Sequence, residues 1–103
     1  MLYPYNNMDQ SFDWDKEKNR KLMEERGISF EAIVANIEEG NIVATAKGKG
    51  KFSHQKQFLV LVNNYIYLVP FIEDGDKIFL KTIIPSRKLT KHYLLEGNPN
   101  EKI

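Results

Sequence analysis

The stretch FLVLVNNYIYLVPFIEDGDKIFLKTIIPSRK, residues 58–88, decides the fold. Its alternation predicts three strands, about 58–62, 65–72 and 76–84, joined as a meander. Asn63-Asn64 breaks the first two runs, and asparagine tolerates the positive φ that a tight hairpin turn requires. Glu73-Asp74-Gly75-Asp76 supplies the second turn, with Asp-Gly at its centre. Phe58–Val62 is apolar on both faces, which places it inside the sheet rather than at an edge. In the third strand Ile78, Leu80, Thr82 and Ile84 fall on one face, and Phe79, Lys81 and Ile83 on the other. That strand runs into Pro85-Ser86-Arg87-Lys88, where Ser86 is the natural N-cap of a closing helix, about 86–95.

Upstream, Phe12-Asp13-Trp14 reads as a very short strand. Asp15 then caps a first helix, about 16–26, with Glu17 in the first turn, where the helix dipole favours a carboxylate. Leu22 and Met23 are its inward candidates, and Gly27 ends it. Ser29 caps a second helix, about 30–39. There Phe30, Ile33, Val34 and Ile37 fall at i, i+3, i+4 and i+7, and Gly40 closes the helix. Asn41–Ala46 reads as a strand, followed by a basic Gly/Lys loop over 47–51. Helices first and strands after give an α+β fold: two N-terminal helices, a four-stranded, mainly antiparallel sheet and a short C-terminal helix. Residues 1–11 are expected to be a flexible arm, 12–95 one domain, and 96–103 a flexible tail. Met8 is an alternative start.

A chain of 103 residues fits one domain with a real core. The formal charge of +1, from 15 basic and 14 acidic residues, excludes a polymer binder that works by bulk charge. Any polyanion site is therefore a local patch. Without cysteine there is no disulfide framework and no thiolate nucleophile. No apolar run approaches the roughly 20 residues of a spanning helix, and the N-terminus lacks the pattern of a signal peptide. A cytoplasmic protein with no membrane partner is the expectation.

Lys81, Arg87, Lys88, Lys91 and His92 gather at the strand exit and helix start. Arg87 can clamp a phosphate through two N–H donors, and Lys88 can act as a point charge beside it; such a corner equally serves solubility. Ser86 and Lys91 border the same corner. His54 has the ring whose ordinary pKa lies nearest neutrality, so it is the candidate general acid or base. Tyr93, about two helical turns past the corner, is a second candidate. Lys49 and Lys51 lie on the basic loop. Tyr65 and Tyr67 share a strand face with Val69 and Phe71, so packing is their expected role. Two histidines 38 residues apart with no carboxylate constellation make a poor metal site, and no phosphate-loop or dinucleotide motif is present. No cofactor is implied.

Phe12-Asp13-Trp14-Asp15, Lys18-Asn19, Gly27-Ile28-Ser29-Phe30-Glu31-Ala32, and the late Ser86-Arg87-Lys88 with Thr90 resemble the BrnT family of toxins. The likeness runs over residues 12 to about 94. It implies a RelE-like fold and a ribonuclease that inhibits translation. The same likeness implies neutralisation by a cognate antitoxin, a ribbon-helix-helix or similar DNA-binding protein through which alone the pair meets operator DNA. Arg87 and Lys88 then occupy the late basic motif, and Arg20 and Lys21 lie on a basic first helix. The chain departs from the family at Glu25-Arg26-Gly27, where Lys-His-Gly is usual, and at Tyr93, where a glutamate would fall. With that histidine missing, proton transfer falls to His54. A non-catalytic RNA-binding or protein-interaction module that keeps the fold is the alternative.

Overall fold

A computed structural model describes residues 11–47 and 55–95. The chain is α+β, with three helices and a six-stranded mixed sheet among the described residues. In order the elements are β1 (Ser11–Asp13), α1 (Lys16–Arg26), α2 (Phe30–Glu38), β2 (Ile42–Lys47), β3 (Lys56–Val62), β4 (Tyr65–Asp74), β5 (Lys77–Leu80), β6 (Ile84–Pro85) and α3 (Arg87–Thr90). A π-turn, Lys91–Leu95, continues α3. Of the expected arm, 1–11, Ser11 is described and belongs to β1; residues 1–10 and the expected tail, 96–103, lie outside the described residues. Among the described residues no helix is long and apolar enough to cross a membrane.

The helices start and stop where their caps dictate. The Asp15 carboxylate accepts from the Lys18 N–H at 3.0 Å, and Gly27, at φ +68°, closes α1 in the left-handed region that glycine enters without a Cβ penalty. Ser29 Oγ accepts from the Ala32 N–H at 3.1 Å to open α2. Phe30, Ile33 and Ile37 are fully buried along the apolar stripe. In α1 only Leu22 is buried; Met23, expected to point inward, is 52% exposed. So polar a helix is held by ties rather than by a face. Asn19 supplies one of them: its Oδ1 accepts from the Phe30 N–H at 2.7 Å, and its Nδ2 donates to Glu31 Oε1 at 2.8 Å.

The sheet order is β1-β5-β4-β3-β2, with β6 also on β4. Among the described residues only β1–β5 is parallel. The β3–β4 hairpin pairs Val62 with Tyr65 through to Lys56 with Phe71, around Asn63 and Asn64, both at positive φ as the turn requires. β1, the short strand expected at 12–14, adds a fifth row to the four-stranded sheet expected, and β6 lengthens the row of β5. Phe58, Val60, Val62, Val69, Phe71, Ile78 and Leu80 face the helices, with the Phe58 and Phe71 rings stacked at 4.0 Å.

The predicted strand 76–84 is in fact two collinear pieces on one edge of β4. Phe71 pairs with Leu80, whereas Leu68 pairs with Ile84, so three steps along β4 match four along its partner. The extra residue is a bulge over residues 81–83, and a one-residue slip reverses the faces beyond it. Ile83 is therefore fully buried and Ile84 is 40% exposed, the reverse of the alternation expected. Pro70 is the physical reason. The Lys81 N–H still reaches the Pro70 carbonyl at 2.8 Å, but proline has no N–H to return, so the ladder gives way there.

Candidate functional site

The bulged edge strand delivers the chain to the corner at Ser86. Its Oγ accepts from the Leu89 N–H at 3.1 Å, so this side chain opens the helix before it can serve any ligand. Arg87 and Lys88 follow and are exposed, and among the described residues neither side chain has a carboxylate partner. Lys91 and His92 stand four residues beyond them, so Arg87/Lys91 and Lys88/His92 rise one above the other on the outer flank. Half-buried Leu89 and Thr90 take the inner flank. The α-helical part is a single turn, Arg87–Thr90, before the π-turn. The anion field of the helix start is accordingly smaller than a nine-residue α-helix would give, and the side chains carry the charge.

Lys81 sits before the bulge. Its backbone bond to Pro70 puts its side chain on the sheet face opposite α1 and α2, in line with Phe79. Tyr93 is 38% exposed, and its ring meets His92 edge-on at 5.0 Å. Tyr65 and Tyr67 are half-buried, with ring centroids 5.5 Å apart, on the face that carries Val69 and Phe71. His54, Lys49 and Lys51 lie outside the described residues.

The first helix is a different surface. The Arg20 guanidinium is bound by Glu17, one turn before it, and by Glu24 at 2.6 Å, one turn after. Arg20 holds the Glu17 carboxyl below its ordinary pKa, chiefly through their hydrogen bond and then through charge. Lys21 is exposed beside them. Two features escaped the sequence reading. Arg26, in the last turn of α1, donates from Nη1 to the Ile83 carbonyl at 2.7 Å, tying the helix to the bulge. A basic residue just before a left-handed glycine was the visible signal. Secondly, residues 77–95 contain five lysines or arginines and no aspartate or glutamate, a run that counting alone would have found.

Among the described residues no group of three His, Cys, Asp or Glu is placed to hold a metal ion. The arrangement can bind an anion through Arg87 and Lys88 and extend along its chain through Lys91. No family model matches the chain, and no curated protein matches it either.

Proposed function

We propose that the chain is a ribonuclease toxin with a RelE-like arrangement, acting in the cytoplasm and neutralised by a small DNA-binding antitoxin. What supports this reading is the corner itself. Arg87 and Lys88 project at a strand-to-helix junction, unpaired among the described residues, within a carboxylate-free run. Unneutralised cations of fixed spacing are what a phosphodiester backbone selects.

In the proposed reaction the ribose 2′-oxygen attacks the adjacent phosphorus as the P–O5′ bond breaks, leaving a cyclic phosphate. His54 takes the 2′-hydroxyl proton, or Tyr93 serves in its place, and the departing 5′-oxygen is protonated from solvent. Arg87 and Lys88, helped by Lys81, stabilise charge on the phosphoryl oxygens. The chemistry requires no metal. RNA digestion by wild type, Arg87→Ala and His54→Ala tests it: wild type should cut, Arg87→Ala should lose activity, and loss in His54→Ala assigns the proton transfer to His54 while retention assigns it to Tyr93. Intact RNA under conditions of demonstrable binding overturns the enzymatic reading and leaves an RNA-binding module.

A second reading has its own observation. The sheet face away from α1 and α2 exposes Ile72 (46%), Phe79 (37%) and Ile84 (40%), with Leu68 half-buried beside Ile84. Apolar side chains in two rungs of one sheet face, four residues apart along β4, suit a protein partner better than a nucleic acid. Co-purification of a small acidic protein, abolished by Phe79→Glu and accompanied by no RNA affinity, would select a pure interaction module.

A further inference from the structure

Ile66 and Ser86 meet at the last rung between β4 and the chain leaving β6. In a regular antiparallel rung of this kind the two residues exchange both backbone bonds. Here only one is direct: the Ser86 N–H donates to the Ile66 carbonyl at 3.0 Å. The return bond is interrupted by a side chain. The Ile66 N–H donates to Thr90 Oγ1 at 2.8 Å, and Thr90 Oγ1 donates to the Ser86 carbonyl at 2.7 Å. That carbonyl also accepts the Thr90 N–H at 3.0 Å, the first bond of the helix.

A hydroxyl is both donor and acceptor, so it can stand in a rung and pass the bond along. The insertion differs from the ordinary back-bond of a helical threonine to the carbonyl four residues earlier, which needs no third group. Ile66 is fully buried, so its N–H has no ready alternative in water. Ser86 and Thr90 are thus both tied to one residue of the central hairpin, and Arg87 and Lys88 lie between the ties.

We infer that Thr90 is a positioning residue: its hydroxyl locks the first turn of α3 to β4 and fixes where Arg87 and Lys88 stand for an RNA phosphate. The inference rests on the RNA reading of the corner. Thr90 itself touches no ligand. Its loss should leave both cations in place chemically while freeing the backbone that carries them, raising the ordering cost of binding.

The test uses the full chain, single-stranded oligouridine as probe, and the variants Thr90→Val and Thr90→Ser. Thr90→Val keeps the shape but removes donor and acceptor. It should speed amide exchange at Ile66 and weaken oligouridine binding by about tenfold, the loss of one well-made hydrogen bond to a buried group. Thr90→Ser should restore both, which a packing role for the methyl group would not do. A Thr90→Val protein with a freed Ile66 amide and wild-type affinity overturns the inference and leaves the RNA reading standing. Wild type that does not bind oligouridine overturns the reading, and the inference with it. Should Thr90→Val not fold, saturating oligouridine on wild type should slow exchange at the Ile66 and Thr90 amides together; unchanged exchange overturns the inference.

Discussion

Two regions of this molecule carry equal numbers of cations and are opposite in character. Helix α1 holds Lys16, Lys18, Arg20, Lys21 and Arg26, but it interleaves them with Glu17, Glu24 and Glu25. Its central arginine is spent on its own helix. The run 77–95 holds Lys77, Lys81, Arg87, Lys88 and Lys91 with no carboxylate among them. A count of basic residues treats the two as equivalent candidates; what separates them is that Arg20 is bound by two glutamates, whereas Arg87 and Lys88 have no carboxylate partner among the described residues. Exposed ion pairs contribute little to stability, but they cancel the field a polyanion would feel.

The largest expected effect tests that separation directly. Arg87→Ala should lower kcat on RNA by about 10² to 10³, the usual consequence of removing a donor to developing charge. In binding, Arg87→Ala with Lys88→Ala should flatten the dependence of log K on log salt by roughly 1.4, about 0.7 for each lost single-strand phosphate contact. Arg20→Ala with Lys21→Ala should leave the slope nearly unchanged. Equal losses from the two double variants would erase the distinction between the surfaces.

Next comes the device that aims the corner. Ile83 is fully buried and Ile84 is 40% exposed because the bulge opposite Pro70 shifts the register. Ile83→Ala should cost about 2–5 kcal/mol in denaturant unfolding, and Ile84→Ala about 0.5 kcal/mol or less. The reverse ranking would mean that the strand runs unbroken and presents Arg87 on the other side.

This strand also marks the limit of what the sequence disclosed. Both helices, the caps at Asp15, Ser29 and Ser86, the left-handed Gly27 and the Asn63-Asn64 turn were legible, because each depends on residues within one turn of the chain. The bulge was not. It arises from a proline on a neighbouring strand, eleven positions before Lys81, and alternation read along one strand cannot register a missing donor on another. The inserted Thr90 hydroxyl escaped for the same reason, as did the distant partner of Arg26, whose place at the helix end was all that the chain showed. Of the candidate site, Arg87, Lys88 and Lys91 lie within one helical stretch past the corner, whereas Arg20 is engaged by Glu17 and Glu24 on its own helix. The residues behind the family likeness split similarly. Asp15, Asn19, Gly27, Ser29 and Phe30 build the helical corner, so their pattern speaks to fold, and the proposed chemistry hangs on the short late motif.

Arg26 is the exception on α1, and its removal is the next test in size. Its bond to the Ile83 carbonyl links the two surfaces across the bulge. Arg26→Met keeps the stem and loses the donor, and should cost about 1 kcal/mol, since the site is only partly buried. A loosened bulge should also weaken oligouridine binding, although Arg26 lies outside the cation cluster. An Arg26→Met protein as stable as wild type, binding equally well, would make the two surfaces independent.

The smallest effect is the most discriminating about α1. Glu17 is held below its ordinary pKa in the folded chain, first by its hydrogen bond to Arg20 and then by the charge itself. A depressed folded value means that the pair's contribution is complete above the unfolded carboxylate pKa, about 4.3, and is lost as pH falls through the lower folded value. Both side chains are more than half exposed, so the contribution is small and screened by salt. Wild type should therefore melt slightly above Glu17→Gln at pH 7 in low salt, and the gap should close on acidification or in 1 M salt. In the same Glu17→Gln protein Glu24 still holds Arg20, so the salt slope for oligouridine should not move. A slope steeper by about 0.7 would show that a single carboxylate had been silencing a phosphate contact on α1, and the first helix would then belong to the RNA footprint.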